Sequence, residues 1–256
     1  MDFTIKTYRQ LLTALQQQGF YFQTFQEFLI APATKAIILR HDVDKLPQNS
    51  LRFAQIQNEL GIKGSYYFRA IPTSWDEAVI QEITALGHEI GYHYECLTTT
   101  GGDMQAGIAD FEQNLAALRK LAPVKTICMH GSPRSKWDSK ELWKHYNYRD
   151  YGIIGEPYFD VNFDEVFYLT DTGRRWDGWK VSLRDKVPQQ EQWIKQGLVF
   201  HSTQDVIRAV QNGKLPERIM MTFHPQRWHS LPLPWIKEFV LQNIKNVVKY
   251  FWNKVT

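Results

Sequence analysis

The feature that most constrains this chain is an alternation of short apolar runs with stretches of helical periodicity. Ala36-Ile37-Ile38-Leu39 is the first such run, and others follow at 64–69, 88–95, 124–130, 166–169 and 218–223. A run of four to eight residues, rich in β-branched or aromatic side chains, reads as a strand covered on both faces. Helices are predicted between these runs over 49–60, 74–86, 103–121, 139–145 and 202–212. Ser74 is the expected N-cap of the second, and Gly61 and Gly87 are the expected stops. Helices over 8–18 and 25–29 come first, and a long amphipathic helix closes the chain. Strands alternating with helices imply parallel pairing through right-handed crossovers. Roughly seven repeats in a chain of this length fit a β/α barrel better than an open sheet. The only Pro-rich stretch, Leu231-Pro232-Leu233-Pro234, leads straight into a helix. The reading is therefore one domain over 1–256, with an N-terminal helical segment (about 1–34) and a C-terminal helix (about 233–256).

Charge and composition remove several function classes. The 30 Lys and Arg are scattered among 27 Asp and Glu, so no basic stripe marks a nucleic-acid partner. Cys96 and Cys128 both lie on or beside apolar runs, which fits core thiols in a reducing compartment rather than a disulfide framework. The first residues lack the pattern of a secretion signal, and no run approaches the eighteen or so apolar residues of a membrane span. A cytoplasmic location is expected. In the last helix Ile244, Val247, Val248, Phe251 and Trp252 are set against Lys245, Lys249 and Lys254. Such a helix can rest on a membrane surface, but packing of its apolar side against the barrel is the expectation.

Four apolar runs end in residues able to ligate a metal or move a proton. These endings are His41-Asp42-Val43-Asp44, His93-Tyr94-Glu95, His130-Gly131 and His224-Pro225. In a parallel barrel all of them lie at one mouth, where the βα loops build the active site. Histidine and carboxylate ligands from different strands can make an open site with three protein ligands and one exchangeable position. A metal there lowers the pKa of its water toward neutrality. Asp42 and Asp44 share a strand face, so one suits the metal and the other the water's proton; the spacing leaves open which is which. The plainer reading makes both of them helix caps. His88, at the opposite end of its run, is expected to be structural. His41 alternates to the other side from Asp42 and is at most a supporting residue. His145, His201 and His229 read as surface residues.

These motifs resemble those of the polysaccharide deacetylases, metal-dependent carbohydrate esterases with homology to chitooligosaccharide deacetylases. Gly87-His88-Glu89-Ile90-Gly91-Tyr92-His93 is close to the family's G-H-E-I-G-N-H, and Arg40-His41-Asp42-Val43-Asp44 stands where the family has T-F-D-D. Thr222-Phe223-His224-Pro225 is similar to its late L-x-H element. The resemblance implies a distorted (β/α)7 barrel, a divalent metal such as zinc, a first Asp as base, a second as metal ligand and the late His as general acid. The chain departs from the pattern in three places. Leu97 stands where H-x-x-x-H would have its second His, Val43 separates the two acids, and Met129-His130-Gly131-Ser132-Pro133 replaces an R-P-P segment. His130 is the candidate for the missing ligand.

The expected function is removal of an acyl group, N-acetyl first, from an amino sugar or polysaccharide precursor. Asp42 and His224 are the catalytic pair and Asp44, His93 and His130 the metal ligands. The loop Thr170-Asp171-Thr172-Gly173-Arg174-Arg175-Trp176-Asp177-Gly178 is expected to reach the site. There Arg175 would orient Asp42 and Trp176 would stack on a sugar, with Asp171 and Trp228 as further substrate contacts. The alternatives are a degenerate barrel that only binds carbohydrate, and a metal hydrolase acting on another C–N or ester bond.

Overall fold

The computed structural model describes residues 1–132, 135–180, 182 and 185–255, and the side chains of all of these but 179 and 249–255. Pro133 of the fifth-strand segment lies outside the described residues, as do the side chains of Lys249, Phe251, Trp252 and Lys254. The elements run α1 (Ile5–Gln17), β1 (Tyr21–Gln23), α2 (Phe25–Ile30), β2 (Ala36–Val43), α3 (Pro47–Glu59), β3 (Ser65–Phe68), α4 (Glu77–Ala85), β4 (Glu89–Tyr94) and α5 (Cys96–Thr99). They continue with α6 (Met104–Arg119), β5 (Ile127–Met129), α7 (Pro157–Asp160), β6 (Phe167–Thr170), α8 (Gln190–Lys195), α9 (Thr203–Gln211), β7 (Arg218–Phe223) and α10 (Pro232–Val255).

All the strand pairs among the described residues are parallel, in the order β5-β4-β3-β2-β7-β6. β2 carries β7 along one edge and, in succession along the other, β1 against residues 36–38 and β3 against residues 40–43. The sheet curls. Ala36, Ile38, Tyr67, Cys128, Tyr168 and Met220, from β2, β3, β5, β6 and β7, pack into one apolar cluster with Phe25 and Phe28 of α2. Among the described residues the end strands β5 and β6 are not paired with each other, and the architecture is the distorted seven-stranded β/α barrel expected from the alternation. Alternate residues such as Ile37, Leu39 and Val43 face outward into the helical layer. Gly91 is required inside: a Cβ there would sit 2.3 Å from the Tyr67 ring.

Several local expectations change. The N-terminal segment, read as helical, includes β1, whose three residues are too few for a periodic signal. The N-cap of α4 is Asp76, which accepts from Val79 N. Ser74 instead accepts from Arg69 N and donates to the Val43 carbonyl, tying β3 to the end of β2. The segment 139–145 forms a 3-10 helix, Ser139–Lys144, in place of an α-helix.

The largest correction concerns α10. Most of its described apolar residues turn away from the barrel: Ile236, Val240, Ile244, Val247 and Val248 are exposed. The buried stripe is polar, namely Glu238, Gln242 and Asn246. The barrel surface beneath offers polar partners to match. Asn246 Nδ2 donates to the Gly173 carbonyl (2.8 Å), Glu238 faces Lys45 (3.7 Å), and Arg174 donates to the Trp235 carbonyl (3.0 Å).

Candidate metal centre

Strand parity decides which side chains reach the mouth. On β2 the even positions, Arg40 and Asp42 among them, face inward; odd-numbered His41 faces the helices. There His41 stacks on Tyr66 and bonds to the Ser65 carbonyl, Gln57 and Tyr8. It has no contact with the candidate metal cluster. Burial pulls its pKa down to about 3. His88, at the other end of its strand, accepts from Gly64 N through Nδ1 and bonds to the Ala54 carbonyl through Nε2.

Asp44, His93 and His130 converge from the ends of β2, β4 and β5. His93 Nε2 lies 3.8 Å and His130 Nε2 lies 3.5 Å from Asp44 Oδ1. Donors at ordinary zinc bond lengths in a tetrahedron stand roughly 3.4 Å apart, so the three atoms are close to ligand spacing. The outer nitrogen of each ring is fixed. His93 Nδ1 donates to the Cys128 carbonyl and His130 Nδ1 donates to Glu95 Oε2, both at 2.8 Å. That arrangement turns both Nε2 lone pairs toward Asp44, as outer partners do for metal-binding histidines. Burial lowers His93 to about 4, so its imidazole is neutral and able to ligate at pH 7.

Asp44 makes the clearest case for a cation. Its Oδ2 accepts from Gln226 (3.0 Å), but Oδ1 is buried and has no hydrogen-bond partner. A buried carboxylate oxygen facing two lone pairs is unfavourable unless something positive sits between them. The donor set of one carboxylate and two imidazoles fits a divalent ion. A second candidate set, Asp42, His93 and Cys128, overlaps the first at His93. Burial pushes the Cys128 thiol well up, which disfavours the thiolate a metal would need.

Asp42 sits beside this cluster, its Oδ2 3.7 Å from His93 Nε2. Arg40, two residues earlier on the same face, grips it with a fork: Nε to Oδ1 at 2.8 Å and Nη2 to Oδ2 at 2.6 Å. Burial opposes ionisation of Asp42, but Arg40 and His93 outweigh it and hold the carboxyl far below its usual range. His224 follows β7. Its Nδ1 meets Asp171 Oδ1 at 2.6 Å, and Asp171 also accepts from the His224 backbone, Arg227 and Trp228 Nε1. Burial and Arg227 oppose protonation of His224, yet Asp171 and Asp44 prevail and its pKa is raised.

The expected substrate contacts lie elsewhere. Arg175 forks onto Asp177 (2.5 and 2.8 Å), and Arg40 takes the place assigned to it on Asp42. Trp176 and Trp228 are buried in an aromatic cluster with Phe3 and Phe223, so neither offers a face to a sugar. Asp171, fully buried, holds His224 instead of touching solvent. His145 and His201 are exposed, Leu97 is buried in the core, and both cysteines are buried free thiols. Sequence reasoning gave no role to Arg40, Gln226 or Glu95. Glu95 was legible as the acid ending His93-Tyr94-Glu95, and it bonds to Arg69 as well as His130.

No family model matches this chain, and no curated protein matches it. Among solved structures, it is similar to a family 4 carbohydrate esterase from Bacillus anthracis (12% identity, TM-score 0.40, covering 98% of this chain and 91% of that one). It is also similar to a mutant of BA3943, described as a CE4 family pseudoenzyme with restored enzymatic activity (12%, 0.43, 85% and 64%). A third is PdaA of Bacillus subtilis, a family 4 carbohydrate esterase (10%, 0.38, 96% and 90%).

Proposed function

We propose that this protein is a metal-dependent hydrolase, with zinc as its ion, that removes an N-acetyl group from an amino sugar or a glycan precursor. The observation that carries this reading is the unpartnered Asp44 Oδ1 facing two imidazole nitrogens, with a tethered carboxylate alongside. Asp44, His93 and His130 would hold the ion. Bound there, a divalent cation polarises the acyl oxygen and acidifies a water.

Asp42, kept ionised and aimed by Arg40, accepts the proton of the attacking water. His224, held through Nδ1 by Asp171 and with its pKa raised, delivers a proton to the departing amine nitrogen. The products are a carboxylate and a free amino sugar. A barrel that only bound carbohydrate would need neither the Arg40–Asp42 fork nor the Asp171–His224 pair. The free thiols Cys96 and Cys128 support a reducing compartment, the cytoplasm, as the place of action.

The test has two parts. Metal content after zinc loading and dialysis is expected to be equimolar for the wild type and lost in His93→Ala; equimolar zinc in that variant would overturn the site. Acetate release is then measured over a panel of N-acetylated sugars. A zinc-loaded protein that releases none from any of them would refute the hydrolase and leave a carbohydrate-binding barrel.

A further inference from the structure

The helix α10 is inverted relative to ordinary surface helices, which bury the apolar side and expose the polar one. It meets the barrel through Glu238, Gln242 and Asn246, and turns Leu233, Ile236, Val240, Ile244 and Val247 outward. These aliphatic side chains recur every three or four residues and so form a stripe along one side. A continuous exposed apolar stripe of this kind marks a contact surface. Over the described side chains of α10, the exposed ionisable groups are Lys237 and Lys245, because Glu238 is buried.

We infer that this outward face docks on an anionic lipid bilayer. An aliphatic stripe accompanied by lysines and no exposed acid is complementary to acyl chains beneath negatively charged headgroups. A second copy of the same helix would bring lysine against lysine with no acid to pair. None of the described helices is long and apolar enough to cross a membrane, so α10 lies on the surface. Its inner stripe also ties it to the catalytic mouth: Glu238 faces Lys45, the residue after Asp44. The bilayer would therefore lie alongside the candidate metal centre. This inference stands on α10 alone and does not depend on the proposed hydrolysis.

The experiment is vesicle co-sedimentation of the full chain, on phosphatidylcholine alone and on phosphatidylcholine mixed with phosphatidylglycerol. The wild type is expected to partition onto the mixed vesicles, less as salt is raised, and about tenfold or more weakly onto the neutral ones. Val240→Glu with Ile244→Glu should weaken binding by about tenfold or more while leaving the circular dichroism spectrum unchanged, since both side chains point to solvent. Lys237→Glu with Lys245→Glu should remove the preference for phosphatidylglycerol. Failure of the wild type to sediment with either vesicle, or wild-type binding by the Val240→Glu, Ile244→Glu protein, would overturn the proposal. So would a concentration-dependent dimer that those glutamates dissociate, seen without vesicle binding.

Discussion

Two carboxylates near opposite ends of the same barrel, Glu89 buried and Asp44 partly buried, have opposite surroundings. Glu89, at the start of β4, is encircled by donors: Ser65 Oγ (2.6 Å), Thr126 Oγ1 and the Gln26 amide (3.0 Å). Asp44, past the end of β2, has one donor in Gln226 and turns its other oxygen toward two imidazole lone pairs. Burial raises the pKa of Glu89 in spite of its hydrogen bonds, whereas His130, His224 and His93 hold Asp44 down against burial. A carboxylate whose acceptor capacity is filled by the protein serves the fold. One left with an empty acceptor among other acceptors is arranged for a cation.

Replacing each acid in turn puts this contrast to its hardest test. Asp44→Ala should abolish stoichiometric zinc and reduce deacetylation by about a thousandfold or more, with the metal-free stability within about 1 kcal/mol of wild type. Glu89→Ala should keep the zinc but strand the Ser65, Thr126 and Gln26 donors, costing about 1–3 kcal/mol in urea unfolding. Loss of zinc from the Glu89 variant at unchanged stability would break the distinction.

Within the mouth, Asp42→Asn and His224→Ala should each retain zinc and lose about a hundredfold to ten-thousandfold in kcat. Zinc analysis run beside acetate release separates these proton-transfer roles from ligation. A smaller effect is expected at Glu95, which fixes the His130 ring. Glu95→Gln should weaken zinc affinity by about ten- to a hundredfold, read by competition with a chelating dye, and an unchanged affinity would show that the ring orientation is set elsewhere.

A separate comparison concerns pH dependence. In the folded protein burial pulls His93 and His88 down from 6.5 to about 4 and His41 to about 3. Below pH 6.5 the unfolded chain takes up protons that the folded chain refuses, so metal-free stability falls as the pH drops from 6.5 toward 4. The limiting slope is about 1.4 kcal/mol per pH unit for each histidine. Urea unfolding of the metal-free protein at a series of pH values measures it, and a flat profile across this window would contradict the buried neutral rings.

Much of the fold was legible because parallel barrel strands are buried on both faces and read as short apolar runs between periodic stretches. β1 was not, since three residues on a sheet edge carry too little pattern. At the site, strand-end position brought out Asp42, Asp44, His93, His130 and His224, which the structure gathers at one mouth. The loop around Trp176 misled. Aromatic and charged residues beside glycines look the same in sequence whether they face a ligand or pack against Phe3 and Phe223. Arg40 was hidden for a related reason: an arginine inside a strand looks unremarkable until strand parity puts it next to Asp42.

Local chemistry alone, through periodicity, turn residues and the polar ends of apolar runs, determined that this chain forms a parallel β/α barrel and which residues stand at its strand ends. It left undecided what each polar group meets. Only the tertiary structure paired Arg40 with Asp42 and Asp171 with His224, left Asp44 Oδ1 without a donor, and turned the apolar side of α10 outward. Backbone conformation responds to near neighbours in the chain. Hydrogen-bond satisfaction and burial are decided by residues far apart in sequence, and those meet only once the barrel has closed around them.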